Sequence, residues 1–402
     1  MPEPRNYWDY MNRKLQRLAG AFGFSRAEGA LLEDSAIYEG LELEHGNLVS
    51  FADQENNRIA LRPEVLPGIM RAYAERKTAE PEKMAKWYYA APAFGYNEQQ
   101  KKFVSTWEYG FEMFGEFSAL AESHLINLAW KFLRSIGLND LSLEINYVGD
   151  ASCRGDYDDA LKSFLQSRKY DLCNDCAASI ETYPMQIFRC KNLGCKTVSA
   201  EAPQAIDYLD EACHKRFTSV LEGLDELRIV YNLNPCLFGK EGTGGTVFVI
   251  KYKDDRSEYF IGEGAGHSGI FEQVAGKSIP SFGFVGFMDV LDSALKNLQL
   301  DVSQHNGMEV FLVPLGDLAI KKALRLFGEL WDAEIAVHHN FGDNGVKNQL
   351  KLAEAAKANI ALIIGQKEAM EEMVILRDVK SGMQEVFSYD RIIEEVKKRL
   401  GK

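Results

Sequence analysis

The chain has 402 residues and a net charge of −13 at pH 7, with 46% hydrophobic and 26% charged residues. This composition is typical of a globular protein with two or three domains, and the acidic balance argues against DNA as a partner. There is no apolar run of about eighteen residues and no apolar signal core at the amino terminus, so we expect a cytoplasmic protein without a membrane span.

The first elements are a helix and a strand that leads into a second helix. Apolar residues at helical spacing predict the first helix over residues 7–23. Pro63 and Pro67 end the following strand and delay the next helix until about Ile69. Arg62 and Glu64 lie two residues apart at this junction, where they form either an ion pair or part of a site.

Residues 86–115 read as two strands joined by a polar loop, NEQQKK. The returning strand alternates with period two and places Glu108 and Glu112 on one face. Because a half-buried carboxylate needs a partner, that face is suited to line a cleft. The alternative is an edge strand with a solvated polar face. In the loop, Lys101 and Lys102 are either candidates for RNA contact or a solvated pair.

The chain to residue 300 continues as alternating helices and strands, with two glycine-rich segments at 238–245 and 262–269. Neither segment has the Lys-Ser/Thr of a P-loop, so turns are favoured over a phosphate site. The periodicity predicts helices at 118–137, 156–168, 201–224 and 288–298, and strands at 141–147, 228–232, 246–252 and 257–262.

Four of the seven cysteines are clustered at about 170–200 in the pattern C-x2-C-x13-C-x4-C. Two close thiol pairs match the ligand spacing of tetrahedral zinc, and a closed set of four thiolates predicts a structural metal. The alternative is a set of reduced cysteines without metal. Cys213-His214 is a less well spaced substitute. The expected ligands are Cys173, Cys176, Cys190 and Cys195.

The composition changes at residues 300–307, which predicts domains at 1–300 and 307–402. Strands alternate with helices beyond this point, so the second domain is expected to be α/β. It contains 14 Lys and Arg residues against 15 Asp and Glu residues, so nearly all the excess acid lies before it. The second domain is therefore the less repulsive part of the chain for a polyanion such as RNA.

The chain resembles the histidyl-tRNA synthetase family, which belongs to the class II aminoacyl-tRNA synthetases, nearly from end to end. The matching segments are LRPE…G…RAY at 61–73, YYAAPAFGY…WEYGFEMFG around the 86–115 strand pair, LEINYVGD at 143–150, TVF at 246–248, GFVGFMDVL at 283–291, and the block from VFLVPLGD to VILRDVKSGMQEV. The resemblance implies an α+β fold with an antiparallel six-stranded sheet and flanking helices, a homodimer, and a C-terminal α/β anticodon-binding domain in which Lys347 is a further candidate for RNA contact.

The sequence departs from this family at the arginines that bind phosphate and stabilise the charge formed during amino-acid activation. Such a donor typically contributes about 3 kcal/mol to transition-state stabilisation, so activation should be nearly lost. The family's arginines correspond here to Gly95, Phe238, Gly266 and Val290, and two of its tyrosines to Gly242 and Thr243.

The amino-acid pocket of the family is also altered. Glu64 and Glu112 match its acidic positions, whereas its Thr and Gln read as Leu66 and Glu108. The candidate pocket residues are Arg62, Glu64, Glu108 and Glu112.

These residues favour a synthetase-like protein without activity that binds tRNA or a protein partner. The alternatives are a divergent active ligase, which would need ATP and Mg²⁺, a regulatory subunit like that of ATP phosphoribosyltransferase, and a dimerisation scaffold without a role in RNA binding.

Overall fold

The computed structural model describes residues 6–44, 46–76, 84–150, 153–300, 309–339 and 345–401. The chain divides into two compact units, Met1–Leu300 and Asp301–Lys402. Within the described residues, no helix is both long and apolar enough to cross a membrane.

The first unit contains eleven strands and ten α-helices in its described part. The strands are β1 (Ser25–Arg26), β2 (Leu32–Asp34), β3 (Val49–Ala52), β4 (Arg58–Leu61), β5 (Met84–Asn97), β6 (Lys102–Gly115), β7 (Leu141–Tyr147), β8 (Tyr231–Leu233), β9 (Gly244–Lys253), β10 (Glu258–Gly266) and β11 (Ser281–Phe287). The helices are α1 (Asn6–Ala21), α2 (Val65–Glu75), α3 (Ala119–Ser135), α4 (Arg154–Ser167), α5 (Asn174–Ala178), α6 (Gln186–Arg189), α7 (Leu193–Ala200), α8 (Glu211–Glu226), α9 (Ser268–Ala275) and α10 (Met288–Asn297).

One eight-stranded sheet organises this unit, in the order β1-β5-β6-β11-β10-β9-β7-β8. The six inner strands, β5 to β7 in the sheet order, are antiparallel to one another. The two short outer strands, β1 and β8, each run parallel to the inner strand beside them. This confirms the fold class expected from the sequence. Since β6 lies between β5 and β11, the alternative of an edge strand at 102–115 is wrong.

Close backbone packing at β11 lets the sheet accommodate a buried carboxylate. Glu112 in β6 pairs with Gly283 in β11. A Cβ atom at Gly283 would lie 1.9 Å from Oε2 of Glu112, so no larger residue fits there without a shift. Glu112 is completely buried. Both faces of β6 are buried from Glu108 to Phe114, whereas residues 102–107 at its start are exposed or half-buried.

The structure corrects several predicted elements. Helix α2, expected from about Ile69, already begins at Val65, because Pro67 lies in the first turn, where a backbone N–H would have no intrahelical partner. The helix expected at 201–224 begins only at Glu211, where the Asp210 side chain caps it by accepting from the Cys213 N–H at 2.7 Å. The segment 262–269 was expected to be a turn, but β10 continues to Gly266 and α9 begins at Ser268. A three-stranded sheet of order β2-β4-β3 was also not predicted as a unit.

The second unit has a five-stranded sheet of order β13-β12-β14-β15-β16 covered by helices. Its first three strands are parallel and the last two antiparallel. Strand β14 is buried along its whole length, which is typical of a central strand with a continuous apolar run. The elements are β12 (Val310–Pro314), α11 (Asp317–Asp332), β13 (Val337–His339), α12 (Val346–Ala355), β14 (Ile360–Ile364), α13 (Gln366–Glu371), β15 (Met373–Asp378), β16 (Gln384–Ser388) and α14 (Tyr389–Leu400).

Candidate functional site

A cavity of about 60 Å³ opens beside the amino-terminal end of α2, against strands β9, β10 and β11. Its walls are apolar where Val247, Val249 and Ile270 contribute to them. Its polar lining is dominated by carboxylates, although the surrounding surface is apolar. The four carboxylates belong to Glu44, Glu64, Glu108 and Glu263.

Lys240 supplies a cation to this cavity from within the chain. Its Nζ lies 2.8 Å from Oε1 of Glu64 and 3.2 Å from Oε1 of Glu44. Only 14% of the Lys240 side chain is exposed, so the pair is largely shielded from solvent. Burial raises the pKa of Glu64, and the neighbouring Lys240 opposes this shift. Burial alone would lower the pKa of Lys240, but Glu64 and Glu44 reverse the effect and raise it.

A second cation approaches from the cysteine-rich insert. Arg189, at the end of α6, lies 3.3 Å from Glu44 and 3.4 Å from Glu42. Burial opposes the charge on this guanidinium, yet Glu263 and the two other carboxylates raise its pKa. Burial likewise raises the pKa of Glu263, against the influence of Arg189 and Lys240. Two cations of the chain itself, Lys240 and Arg189, thus pair with carboxylates around the cavity, where carboxylates remain in excess.

Glu108 lines the same cavity and is bonded to the start of α2. Its Oε2 accepts from the backbone N–H of Val65 at 2.8 Å. A carboxylate at a helix amino terminus satisfies an otherwise unpaired donor and interacts favourably with the helix dipole. The side chain is almost fully buried. Glu108 therefore has a local structural partner as well as a place in the cavity wall.

Glu112 lies beneath the cavity and faces a histidine of the chain. Oε2 of Glu112 is 3.4 Å from Nδ1 of His267, and both side chains are buried. Burial raises the pKa of Glu112, and His267 acts in the opposite direction. Both acidic positions that the resemblance assigns to the amino acid therefore lie next to cationic or ionisable groups of the chain: Glu64 beside Lys240, and Glu112 beside His267.

Arg62, the remaining pocket candidate, is bonded to the main chain. Its guanidinium donates to the carbonyl oxygens of Pro92 at 2.7 Å, Gly29 at 2.8 Å and Ala30 at 3.3 Å. The side chain is 6% exposed. These bonds fasten the segment before β2 to β5, so the structure places Arg62 in the support of the site and not in the cavity lining.

At two of the four positions where the family has arginine, the present packing leaves no room for one. Phe238 is stacked on Phe188 with 4.2 Å between ring centroids, and Tyr157 lies parallel to it at 5.8 Å. It therefore belongs to the apolar core shared with the insert. At Gly266, a Cβ atom would lie 2.5 Å from the carbonyl oxygen of Gly244. Gly95 is a buried residue of β5, and Val290 is half-buried in α10.

The four clustered cysteines come together in the insert formed by α4 to α7. Every pair of their sulfur atoms lies within 4.8 Å, and those of Cys173 and Cys190 are 3.8 Å apart. Metal–sulfur bonds of about 2.3 Å in a tetrahedron give sulfur–sulfur distances of about 3.8 Å. The backbone N–H of Cys176 lowers the pKa of the Cys173 thiol to about 7. The cluster therefore has the donor type and spacing that a tetrahedral thiolate metal site requires.

The candidates for RNA contact are exposed. Lys101 and Lys102 lie at the tip and exit of the loop between β5 and β6, and Lys347 lies in the first turn of α12. The loop also exposes Phe103, which contacts Tyr96 at 5.2 Å between ring centroids. The first two lysines belong to the first unit and Lys347 belongs to the second.

Sequence reasoning missed Lys240, Arg189, Glu44 and Glu263. Lys240 lies in a glycine-rich segment that is predicted to form a turn, and Arg189 lies in the cysteine-rich segment without a local pattern that marks it. No sequence spacing links Lys240 to Glu64, since 176 residues separate them. A cation of the chain therefore lies beside Glu64 although no local pattern in the sequence marks it.

Comparison with known proteins agrees with the fold and the division of the chain. A family described as histidyl-tRNA synthetase matches residues 1–284, and one described as an anticodon binding domain matches residues 309–399. A protein of Dehalococcoides mccartyi named histidine–tRNA ligase is 29% identical over 407 residues, covering 100% of this chain and 97% of that protein.

Two solved structures show the same fold. Apo histidyl-tRNA synthetase of S. aureus superimposes with a TM-score of 0.80 at 24% identity, covering 99% of this chain and 97% of that one. A Bacillus halodurans C protein described as an ATP phosphoribosyltransferase regulatory subunit/histidyl-tRNA synthetase has a TM-score of 0.58 at 15% identity, covering 91% of this chain and 97% of its own.

Proposed function

Because the chain belongs to the histidyl-tRNA synthetase family, we propose that it is a member that keeps the fold and the anticodon-binding domain but does not activate an amino acid. Its role is to bind tRNA through the C-terminal domain, as a homodimer in the cytoplasm, with a structural zinc ion in the insert. A protein partner at the same surfaces is the alternative within this proposal.

The observation that carries the proposal is the pairing of the pocket carboxylates with cationic or ionisable groups of the chain itself. The Lys240 ammonium group forms an ion pair with the Glu64 carboxylate, and the His267 imidazole lies next to the Glu112 carboxylate. The space left is about 60 Å³, less than the volume of about 150 Å³ of an engineered protein cavity that binds benzene. An incoming amino acid would have to displace a shielded ion pair before it could bind.

The substituted arginines support the same conclusion for ATP. Transfer of the adenylyl group of ATP to a carboxylate, with release of pyrophosphate, depends on cations that stabilise charge on the α-phosphate. The aromatic stack at Phe238 and the tight backbone contact at Gly266 fill two of the places from which arginines would act. These changes alter packing as well as charge, so a small side-chain movement does not restore the cations.

Three measurements on the purified protein test the proposal. Histidine-dependent exchange of pyrophosphate into ATP should be undetectable, and titration calorimetry with histidine should give no heat of binding. A gel shift with total tRNA, repeated at increasing salt, should show binding that weakens steeply because phosphate contacts release counterions. Exchange activity at a rate typical of a ligase would refute the proposal, and absence of tRNA binding would favour the protein partner.

A divergent but active ligase using ATP and Mg²⁺ is the second candidate, and the cations near the cavity are what favour it. Lys240 and Arg189 could each rotate toward a bound anion if their carboxylate partners were released. In that case Lys240→Met should abolish pyrophosphate exchange. The anticodon-binding match over residues 309–399 favours a tRNA-binding role over the third candidate, a regulatory subunit like that of ATP phosphoribosyltransferase.

A further inference from the structure

Two cysteines outside the metal cluster are in direct contact. Cys153 Sγ donates to Cys213 Sγ at 3.1 Å, although 60 residues separate them in the chain. Cys153 is the amino-terminal cap residue of α4, and Cys213 lies in the first turn of α8. Both are buried, at 6% and 2% exposure. The cysteine-rich insert lies between them, so the pair joins the entry of the insert to its exit.

The surroundings of the pair contain both favourable and unfavourable groups for a thiolate. The amino termini of two long helices direct partial positive charge toward the sulfur atoms, which stabilises thiolates. Tyr147 hydrogen-bonds to Cys213. Asp150 and Asp210 act against a thiolate, because their carboxylates are negatively charged. The Asp150 carboxylate lies within 4.8 Å of both sulfur atoms, and the Asp210 carboxylate accepts from the backbone N–H of Cys213.

A wide cleft of about 730 Å³ lies beside this pair, with Tyr147, Gly149 and Asp150 in its lining. A Cβ atom at Gly149 would lie 3.1 Å from the Cys153 sulfur, so Gly149 brings the cleft lining close to that sulfur. We therefore expect a small oxidant that enters from the cleft to reach Cys153 first.

The sulfur–sulfur distance separates a dithiol from a metal site. The sulfur atoms of Cys173 and Cys190 are 3.8 Å apart, as a tetrahedral thiolate site requires. Those of Cys153 and Cys213 are closer, at 3.1 Å, which would compress the angle at a metal to about 85° with bonds of about 2.3 Å. Contact between two thiols is instead the arrangement from which a disulfide forms with little movement.

We propose that Cys153 and Cys213 form a reversible disulfide that fastens the base of the insert, with a hydroperoxide as oxidant. The sulfur of Cys153 attacks one peroxide oxygen and the O–O bond breaks. With hydrogen peroxide, the departing hydroxide takes up the thiol proton and becomes one water. Cys153 is left as a sulfenic acid. The sulfur of Cys213 displaces the sulfenic oxygen as a second water, and the S–S bond forms. Two thiols are oxidised and one peroxide is reduced.

The bond would restrict the separation of the two ends of the insert. Closing a loop of about 60 residues removes conformational freedom from the unfolded chain, so the oxidised protein should unfold at higher urea concentration than the reduced protein. The insert also carries Arg189 to the cavity. Oxidation should therefore slow proteolysis within the insert, while reduction allows its ends to separate.

Peptide mapping of the full-length, zinc-loaded protein tests the inference. One equivalent of hydrogen peroxide should lower the mass of the intact chain by about 2 Da, and alkylation under denaturing conditions should then leave Cys153 and Cys213 unlabelled, with their peptides linked. A thiol reductant should reverse both changes. Cys236→Ser is the matched control and should behave as the unmodified chain does, whereas Cys213→Ser should leave a sulfenic acid on Cys153 that dimedone traps.

Metal analysis provides the competing outcome. The proposal requires the same zinc content, about one ion per chain, in the native protein and in the variant with both Cys153→Ser and Cys213→Ser. A second ion that is lost only in this double variant would overturn the disulfide in favour of a metal site. Failure to recover linked peptides from the native chain would overturn it as well, whether or not the variants fold.

Discussion

Lys240 and Glu64 form a shielded ion pair with 2.8 Å between Nζ and Oε1, although 176 residues separate them in the chain. Glu64 stands directly before α2, whereas Lys240 precedes β9. The pair thus joins two distant parts of the first unit across the cavity. A buried pair of this kind is costly to break, because the remaining charge stays in an environment from which water is largely excluded.

Lys240→Met should destabilise the protein by removing the cation from Glu64. We expect a loss of about 3 kcal/mol in the free energy of unfolding at pH 7, measured by urea denaturation. In this variant the pKa of Glu64 rises further, so the folded state binds its proton at higher pH than the unfolded state. The loss should therefore shrink as pH falls from 8 to 5. The double variant with Glu64→Gln should recover most of the stability; an additive loss would show that the two side chains act separately.

Glu112→Gln should change how stability depends on pH. Burial raises the folded-state pKa of Glu112, so ionisation at high pH costs stability that returns when the pH falls toward the ordinary carboxyl value. The native chain should therefore gain stability relative to the variant between pH 8 and pH 5. His267→Gln is the complementary variant: without the opposing imidazole, the same dependence should become steeper. Parallel pH profiles for all three proteins would contradict this prediction.

Phe238→Arg should fail to restore amino-acid activation and should destabilise the first unit. The guanidinium would replace a ring that stacks between Phe188 and Tyr157. Loss of a buried aromatic side chain costs about 3 to 5 kcal/mol. Urea unfolding and pyrophosphate exchange measure the two effects, with Phe238→Leu as a control that keeps an apolar side chain and should lose less. Exchange activity gained by the arginine variant would support the ligase hypothesis.

The sequence predicted the central strand pair, most helices and the α/β second unit because these elements have strong local periodicity. Strand β7 was predicted at the bounds that the structure has. Short elements such as α13 and β16 were missed, since a few residues carry little periodic signal. Helix α9 was hidden behind glycines that belong to the end of β10 and to the first turn of the helix itself.

The site could be predicted only where local pattern marks it. The cysteine spacing indicated a cluster, and the alternation of β6 put Glu108 and Glu112 on one face. The partners of those carboxylates come from residues far along the chain, and only the sheet order brings them together. Lys240 illustrates this limit, because its position beside Glu64 depends on the antiparallel arrangement of β9, β10, β11 and β6.

Removal of the metal expected at the four cysteines should destabilise the insert. Purified protein should contain about one zinc ion per chain, and Cys190→Ser or a strong chelator should remove it. Because metal binding adds to folding free energy, we expect the melting temperature to fall by about 5 to 10 °C. Cys236→Ser is the control and should keep both the ion and the melting temperature. Native protein that contains no metal, or is indifferent to the chelator, would contradict the assignment.

Lys347→Ala should weaken tRNA binding through loss of one phosphate contact. Lys347 is exposed in the first turn of α12, in the unit that matches an anticodon binding domain. Each lost contact lowers the number of counterions released, so the slope of log K against log salt should become less steep by about 0.7 to 0.9. Gel shifts at several salt concentrations measure this slope.

Lys367→Ala changes another exposed lysine of the second unit, in α13, and provides the matched control. Because both variants lose the same charge, a difference between their slopes reports the location of the contact and not the net charge of the domain. Equal slopes for both variants and the native chain would place the RNA elsewhere.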